Sequence, residues 1–449
     1  MHPRARRLLG WFFILTFLFI TPVIILSTAG YRYNFTKKRL ERTGVLYVET
    51  VPSGAKIGLS GRTTEKTSPT RITRLLPGTY DIGLNKEGFR PWSKKVEIFS
   101  SQTTFLTDVA LFRETLPILT NEAEIVRTAI SPDARYVAYV AATDTGFELR
   151  VLDLRDGKDH LVSRSESLVD DADLRWSPDS RRLLIRLTGK KKENVALIWN
   201  ASSPATVTDL ATVIDAAPVQ AFWNEDARGI SYVLGGQLLS LDLRTMEIAR
   251  LGPVSGVVAV AENAVFDARK TSEGPALFRR ELRGETFEKL SALSAPDFTP
   301  LAAVGRRVIF ISRASGKMLI INPSPAPDAP SAFEAQGRDG AWSADGRRFL
   351  YWNDFELHEY DAERDTDTLL TRVSTPILSA AWLRGANALV YATGSGLFAL
   401  EARGGNDRVL TPLAEFTELN GFGLGRSGTS AVLSGRIGRQ SGLWTLMLR

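Results

Sequence analysis

The chain has no cysteine and only three histidines in 449 residues. The first absence removes disulfides, thiolate catalysis and every cysteine-based metal site. The second is nearly as restrictive. His2, His160 and His358 are far apart in the sequence, and a catalytic triad or a histidine metal cluster would need almost all of them. No G-x-S-x-G nucleophile elbow occurs, and no α/β-hydrolase pattern follows the last repeats. A basic domain is missing too. The formal charge is +6, but residues 1–43 hold eight Lys or Arg against one Glu, so everything after them sums to −1. A nucleic-acid footprint belongs on a folded domain, whereas this excess flanks an apolar run and reads as membrane-related. No nucleic-acid partner, metal or cofactor is expected. With 44% hydrophobic and 24% charged residues, the chain has the composition of two or three domains with real cores.

Residues 1–7 form a short tail with Arg4, Arg6 and Arg7, and residues 8–30 form an uncharged run rich in Leu, Ile, Phe and Val. That run is long enough to span a bilayer as a helix, and Pro22 is tolerated inside one. Trp11, Tyr31 and Tyr33 lie near its two ends, where amphipathic rings prefer the membrane interface. A cleaved signal peptide is the competing reading, with Ser27-Thr28-Ala29 as a small-residue cleavage site, but the run is long for that and an uncleaved anchor is favoured. Residues 31–43 read as a basic juxtamembrane linker containing Arg32, Lys37, Lys38, Arg39 and Arg42. Those charges do not favour a cytoplasmic N-terminus. The short tail and large C-terminal body nonetheless suit an exported body, because large domains translocate largely regardless of charge.

Residues 44–112 show short β runs at Val45–Val48, Lys56–Leu59, Thr79–Leu84 and Lys95–Ile98, separated by turn residues and without helical periodicity. A small antiparallel β-sandwich is expected. Pro52-Ser53-Gly54-Ala55, Leu76-Pro77-Gly78-Thr79-Tyr80 and Lys86-Glu87-Gly88-Phe89 resemble the signatures of PEGA domains. The chain departs from that pattern at Lys66-Thr67-Ser68-Pro69, where the family has Gly-x-Thr-Pro. The resemblance implies an extracytoplasmic, immunoglobulin-like module of envelope-associated proteins, with no catalytic residues to carry over.

From residue 113 to 449 a strand–turn–strand pattern recurs. Trp176-Ser177-Pro178-Asp179-Ser180-Arg181 leads into Leu183–Leu187; Ile130-Ser131-Pro132-Asp133-Ala134-Arg135 leads into Tyr136–Val140. Trp342-Ser343-Ala344-Asp345-Gly346-Arg347 leads into Phe349–Trp352, and Trp223-Asn224-Glu225-Asp226-Ala227-Arg228 into Ile230–Val233. Ile130, Trp176 and Trp223 are 46 and 47 residues apart, Trp342 and Trp382 are 40 apart, and the 119 residues between Trp223 and Trp342 leave room for two degenerate units at 258–280 and 301–321. Such a period, built of short strands, indicates a β-propeller of about eight blades, with seven as the alternative. The final unit, from about Gly421 to Leu448, is one outer strand short. Leu116–Thr120 resembles the outer-strand endings of other units, and pairing it with the last blade would close the ring. The Ser-Pro-Asp-x-Arg repeats resemble TolB-type propellers, which implies a fold and leaves function open among binding proteins, peptidase accessory domains and lyases.

Each conspicuous motif has a structural explanation. Trp176, Trp223, Trp342 and Trp382 could ring a channel, but packing between blades is the stronger reading. Arg135, Arg181, Arg228 and Arg347 could form a basic face; pairing with the turn carboxylates Asp133, Asp179, Asp226 and Asp345 is the stronger one. Gly423-Leu424-Gly425-Arg426-Ser427-Gly428 satisfies G-x-G-x-x-G without the helix that dinucleotide binding needs, so it reads as a turn. Asp170, Asp171 and Asp173 read as a solvated loop rather than a cation site, and Pro323, Pro325, Pro327 and Pro330 as a stiff inter-blade linker. The whole is an all-β protein: one transmembrane helix, a PEGA-like sandwich and a propeller. The expected role is non-enzymatic: a membrane-anchored, extracytoplasmic binding or scaffolding protein of the cell envelope, engaging a protein or polysaccharide. The alternative is an envelope enzyme acting on glycans or peptides through funnel carboxylates. No catalytic, cofactor-binding or metal residue is assigned, and the ligand residues, partner and oligomeric state are left open.

Overall fold

The computed structural model describes the chain except for residues 1–2, 36, 167–168, 190–193, 216–217, 219, 262, 296, 305–306, 323–331, 404 and 406. Helix α1 (Pro3–Thr28) contains an apolar stretch, Trp11–Thr28, with a mean hydropathy of 2.2 and no side chain buried against the rest of the chain. It is long and apolar enough to cross a membrane. The segment after it differs from the expected linker. Strands β1 (Tyr31–Asn34) and β2 (Arg39–Arg42) pair as an antiparallel hairpin whose tight turn places Lys38 at φ +51°.

The module that follows has two sheets. Strands β3 (Gly44–Val51), β6 (Thr70–Leu75) and β9 (Thr103–Ala110) form one; β4 (Lys56–Leu59), β5 (Arg62–Thr67), β7 (Gly78–Asn85) and β8 (Trp92–Ile98) form the other. Leu46, Val48, Ile57, Ile82, Leu84 and Trp92 fill the space between them. The sandwich is mixed rather than purely antiparallel, because β9 runs parallel to β3. Strands β5, β6 and β9 were not anticipated. Arg62–Thr67 is almost wholly exposed and carries no apolar alternation, so the usual strand signal is absent there.

Eight four-stranded antiparallel sheets make up the propeller among the described residues, matching the larger of the two expected counts. Blades 1 to 7 cover 125–165, 169–209, 220–253, 257–292, 298–336, 339–372 and 377–415. Blade 8 uses Glu418–Leu424, Ser430–Ile437 and Gln440–Met447, and its outermost strand is β10 (Ile118–Glu122), which pairs antiparallel with Gln440–Met447. The expected closure is therefore present. The first strands of blades 8 and 1 touch, completing the ring.

The second strands of the blades are mostly apolar because both their faces are covered, as in Tyr136–Ala142 of blade 1. In blade 1, Val137 and Tyr139 face blade 8 while Tyr136, Ala138 and Val140 face blade 2. In blade 2, Leu183, Ile185 and Leu187 face blade 1 while Leu184 faces blade 3. Side chains on a strand alternate between its two sides, so one run of five apolar residues supplies two inter-blade cores. The expected proline linker lies outside the described residues, but the strands on either side, Lys317–Ile321 and Ala332–Gln336, belong to one sheet.

The module is docked on the propeller. Ala110 and Phe112 enter the core between blades 7 and 8, and Val409 of blade 7 packs on the module core. Lys94 Nζ meets Glu401 Oε2 at 2.5 Å, with the two side chains only 13% and 10% exposed. Arg90 donates to Leu413 O at 3.3 Å and Asn387 N to Asp108 O at 2.9 Å. In an antiparallel blade the first-to-second and third-to-fourth turns lie on one face of the ring. Asn387, Glu401 and Val409 all belong to such turns or their edges, so the module occupies that face and the opposite face is left open.

A disulfide tests the closure directly. Thr120 Oγ1 and Thr445 Oγ1 lie 2.8 Å apart across the pairing of β10 with blade 8. T120C/T445C in this cysteine-free chain should oxidise readily and raise unfolding stability by about 2–4 kcal/mol over its reduced form. Thiols that stay free under mild oxidation, followed by mass spectrometry, would contradict the pairing.

Candidate functional site

The recurring turn is a structural device. In blade 1, Ser131 Oγ donates to Asp133 Oδ1 at 2.6 Å and accepts the Tyr136 N–H at 2.9 Å, while Asp133 Oδ1 accepts the Arg135 N–H at 3.0 Å. Blades 2 and 6 repeat this with Ser177/Asp179 and Ser343/Asp345. The fourth turn residue takes a left-handed conformation each time: Ala134 +54°, Ser180 +63°, Ala227 +57° and Gly346 +67°. The turn aspartates thus hold hydroxyls and backbone N–H groups, which corrects the expected pairing with the repeat arginines. Arg135 instead pairs with Asp153 at 2.7 Å and Arg347 with Glu363 at 3.2 Å, both on the neighbouring hairpin. The G-x-G-x-x-G run is the corresponding turn of blade 8, where Gly428 N donates to Gly425 O at 2.7 Å.

Three of the four tryptophans are inter-blade staples, while Trp342 packs on Phe349 against the core of blades 5 and 6. Trp176 Nε1 donates to Ala129 O at 3.0 Å, Trp223 Nε1 to Arg175 O at 2.7 Å and Trp382 Nε1 to Ala341 O at 3.2 Å, in each case on the first strand of the preceding blade. The Trp176 ring also stacks on Tyr136 and meets Trp199 edge-on. These residues back the channel and do not line it.

What lines the channel sits three positions before those tryptophans. Arg127, Asp173 and Gln220 occupy that place in blades 1, 2 and 3, and border a cavity of about 740 Å³. Asp339, the equivalent in blade 6, borders a second cavity of about 350 Å³, and Arg313 borders both. Among the described residues, the larger cavity has four arginines on its wall, Arg127, Arg175, Arg186 and Arg313, and one aspartate. Asp173 is paired with Arg175 at 2.9 Å and Arg186 at 3.2 Å. Its place on the innermost strand Val169–Trp176 corrects the expected solvated loop; the side chains of Asp170 and Asp171 lie outside the described residues. Asp339 opens to the channel while protein surrounds it. Desolvation there pushes its carboxyl above the usual range, opposed by the Gly340 N–H at 2.7 Å and by the charge of Arg313. Arg313 follows the second strand of blade 5, and Arg338 precedes the first strand of blade 6, so both stand on the face opposite the module. Of these residues only Asp173 stands out in the sequence, as part of a carboxylate group; the others occupy a place three before the repeat position where residue type changes from blade to blade, so only the register marks them.

Two blades carry a polar ladder on their outer strands. In blade 1, Tyr139 Oη donates to Asp159 at 2.7 Å, and Arg150 bridges Asp159 at 2.7 Å and Glu148 at 2.8 Å, with Arg164 also on Glu148. In blade 6 the same places hold Tyr351, Asp367, His358, Glu356 and Arg372. Tyr351 Oη donates to Asp367 at 2.6 Å, and His358 lies 3.0 Å from Asp367 and 3.5 Å from Glu356 and stacks on Tyr351. Burial alone would lower the His358 pKa, but its hydrogen bonds and attraction to the two carboxylates outweigh that and raise it. Glu356 is held down at about 2, first by Asn353 and then by Arg372. His160, in blade 1, packs near Trp199. Among the described residues no group of three or more His, Asp or Glu could hold a metal ion.

An apolar helix long enough to span a bilayer, a two-sheet module and an eight-bladed ring make up the described architecture. Residues 43–111 match the PEGA domain family model. No curated protein matches the chain. Among solved structures, the C-terminal WD40 domain of Sif2 aligns at 14% identity with a TM-score of 0.48, covering 74% of this chain and 99% of that one. The Dos1 propeller aligns at 14% identity and a TM-score of 0.49, over 75% and 95%. An oligogalacturonate lyase in complex with manganese aligns at 12% and 0.42, over 73% and 98%. Each of these carries a likeness of fold alone, and the propeller assignment rests on the sheet topology. A PEGA domain joined to a β-propeller points to a binding or scaffolding role.

The ladder yields a pH test with the protein's own repeat as its control. A histidine whose folded pKa is raised contributes stability that is full below its unfolded value near 6.5 and fades as pH rises through the folded value. H358R places in blade 6 the permanently charged group that blade 1 already uses at Arg150. Urea unfolding between pH 6 and 8 should show the wild type losing stability relative to H358R, by about 1 kcal/mol. Equal slopes for the two proteins would contradict the ladder.

Proposed function

We propose that this chain is a membrane-anchored, extracytoplasmic binding or scaffolding protein of the cell envelope that presents the open mouth of its propeller to an acidic protein or glycan. One observation carries the reading: the module is docked on one face of the ring, while the arginine-bearing channel opens on the other. Helix α1 serves as the anchor and the module as a rigid stalk. Among the described residues four arginines and one aspartate, which itself pairs with Arg175 and Arg186, leave an excess of positive charge that favours an anionic ligand, and guanidinium groups recognise carboxylates and phosphates in two-point fashion. Low-dielectric walls that carry one sign of charge also concentrate oppositely charged ligands at the entrance. No step of this function is catalytic.

The test is binding of the detergent-solubilised full chain to matched acidic and neutral oligosaccharides and peptides. Acidic ligands should bind more tightly, the preference should fade with salt, and R313E should weaken acidic binding about tenfold, equivalent to about 1.4 kcal/mol. Indifference to ligand charge and to R313E would overturn the proposed site. Turnover of a bound glycan or peptide, lost on replacing Asp173 or Asp339, would instead establish the second reading, an envelope enzyme working through the channel.

A further inference from the structure

The hairpin after α1 is built with two unlike faces. Tyr33 pairs across with Leu40 and Tyr31 with Arg42, which puts Tyr31, Tyr33 and Leu40 on one side; Arg32, Asn34, Arg39 and Glu41 share the other. The polar side is satisfied internally. Glu41 accepts from Asn34 at 2.8 Å and from Arg39 at 2.6 Å, and Lys37 lies 3.5 Å away; Arg32 donates to Arg74 O of the module at 3.2 Å. The apolar side is uncovered. Tyr33 is 44% exposed, Leu40 50% and Phe35 83%, with Tyr33 and Phe35 edge to face at 5.0 Å. Two-stranded hairpins are marginal in water, so an uncovered apolar face on one calls for an occupant.

The position of the hairpin identifies that occupant. Only Ala29 and Gly30 separate α1 from β1, so if α1 spans a bilayer the hairpin starts at its surface. Thr43 N donates to Gly30 O at 2.8 Å and Ser101 N to Thr43 O at 3.2 Å, fastening the base of the hairpin to the module. The next turn of the module brings Phe99, 48% exposed, to the same end. Arg42 shares the apolar side beside Tyr31, Lys37 and Lys38 stand in the turn at its end, Arg32 and Arg39 lie on the other side, and the one acid, Glu41, is already enclosed by three of its neighbours. Aromatic rings set among basic side chains suit the headgroup layer of an anionic bilayer. We propose that the β1–β2 hairpin is a second membrane-contacting element, seating its Tyr33–Phe35–Leu40 face among acidic lipid headgroups and so fixing the stalk against the membrane.

This rests on the anchor reading of α1, and the experiment separates the two. The cysteine-free full chain is labelled with an environment-sensitive fluorophore at F35C, L40C or, as a reference on the open face, E273C. Each is placed in nanodiscs with shallow nitroxide-bearing lipids, made with or without phosphatidylglycerol. Labels at 35 and 40 should be quenched several-fold more than the label at 273, and K37E/K38E should reduce quenching in the acidic discs toward the level seen in pure phosphatidylcholine. Carbonate extraction of the unlabelled chain from membranes is the companion measurement. A chain that resists extraction while its labels at 35 and 40 stay as unquenched as that at 273 overturns the hairpin proposal alone. Extraction by carbonate overturns the anchor and the hairpin proposal together, and quenching that is equal with and without phosphatidylglycerol overturns the acidic-lipid preference.

Discussion

The structure depends on the pairing of β10 with the third strand of blade 8. A sheet ring built from consecutive hairpins ends with unpaired edges, and exposed edges invite aggregation. Here the chain lays down the outermost strand of its last blade before it starts its first, so the ring closes only when residues more than 300 positions apart meet. Asn121 of β10 also donates to Tyr139 Oη at 2.8 Å, tying the closing strand to the polar ladder of blade 1. Non-local pairing of this kind makes folding slow, and it makes the ring a single unit once formed.

Closure also fixes the two-sheet module. The segment leaving the module runs straight into β10: Arg90 N donates to Phe112 O, Glu114 N to Gly88 O and Arg113 N to Leu448 O. Phe112 therefore serves the core of blades 7 and 8 while its backbone serves the module. The Lys94–Glu401 pair lies in the same junction. Burying an ion pair is weak evidence of net stability, because desolvation offsets much of the attraction. Its geometric demand is strict, however, and an unpaired charge left there would cost several kcal/mol. The pair thus disfavours other docking orientations more than it strengthens this one. Orientation is what the proposed function needs, since it decides which mouth of the channel faces outward.

Much of this fold was legible in the residues. The period of the Ser-Pro-Asp-x-Arg turns marks the blades because blades 1, 2 and 6 share one hydroxyl–carboxylate clamp, and blade 3 shares their left-handed fourth turn residue. The apolar run Leu183–Leu187 marks a doubly covered strand, and Leu116–Thr120 was recognisable as the missing outer strand. Other features left no local trace. Arg62–Thr67 is a strand held by its neighbours rather than by its own alternation. The partner of Arg135 is Asp153, 18 positions on, and only the hairpin register brings the two together. The β1–β2 hairpin was concealed by its charges, which read as a linker. The channel was least visible of all. Its wall is made of one or two residues per blade, and those differ from blade to blade, so the repetition that exposes the fold hides the site.

The central claim is that module and ring form one rigid body that presents the open channel mouth away from the stalk. The most direct measurement is the distance distribution between spin labels at E65C on the module and E273C on the open face, recorded by pulsed electron resonance on the full chain in nanodiscs. A single narrow distribution, unchanged between nanodiscs and detergent, is the expected result. A broad distribution spanning tens of ångströms would show that the module swings freely on the propeller, and would contradict the account.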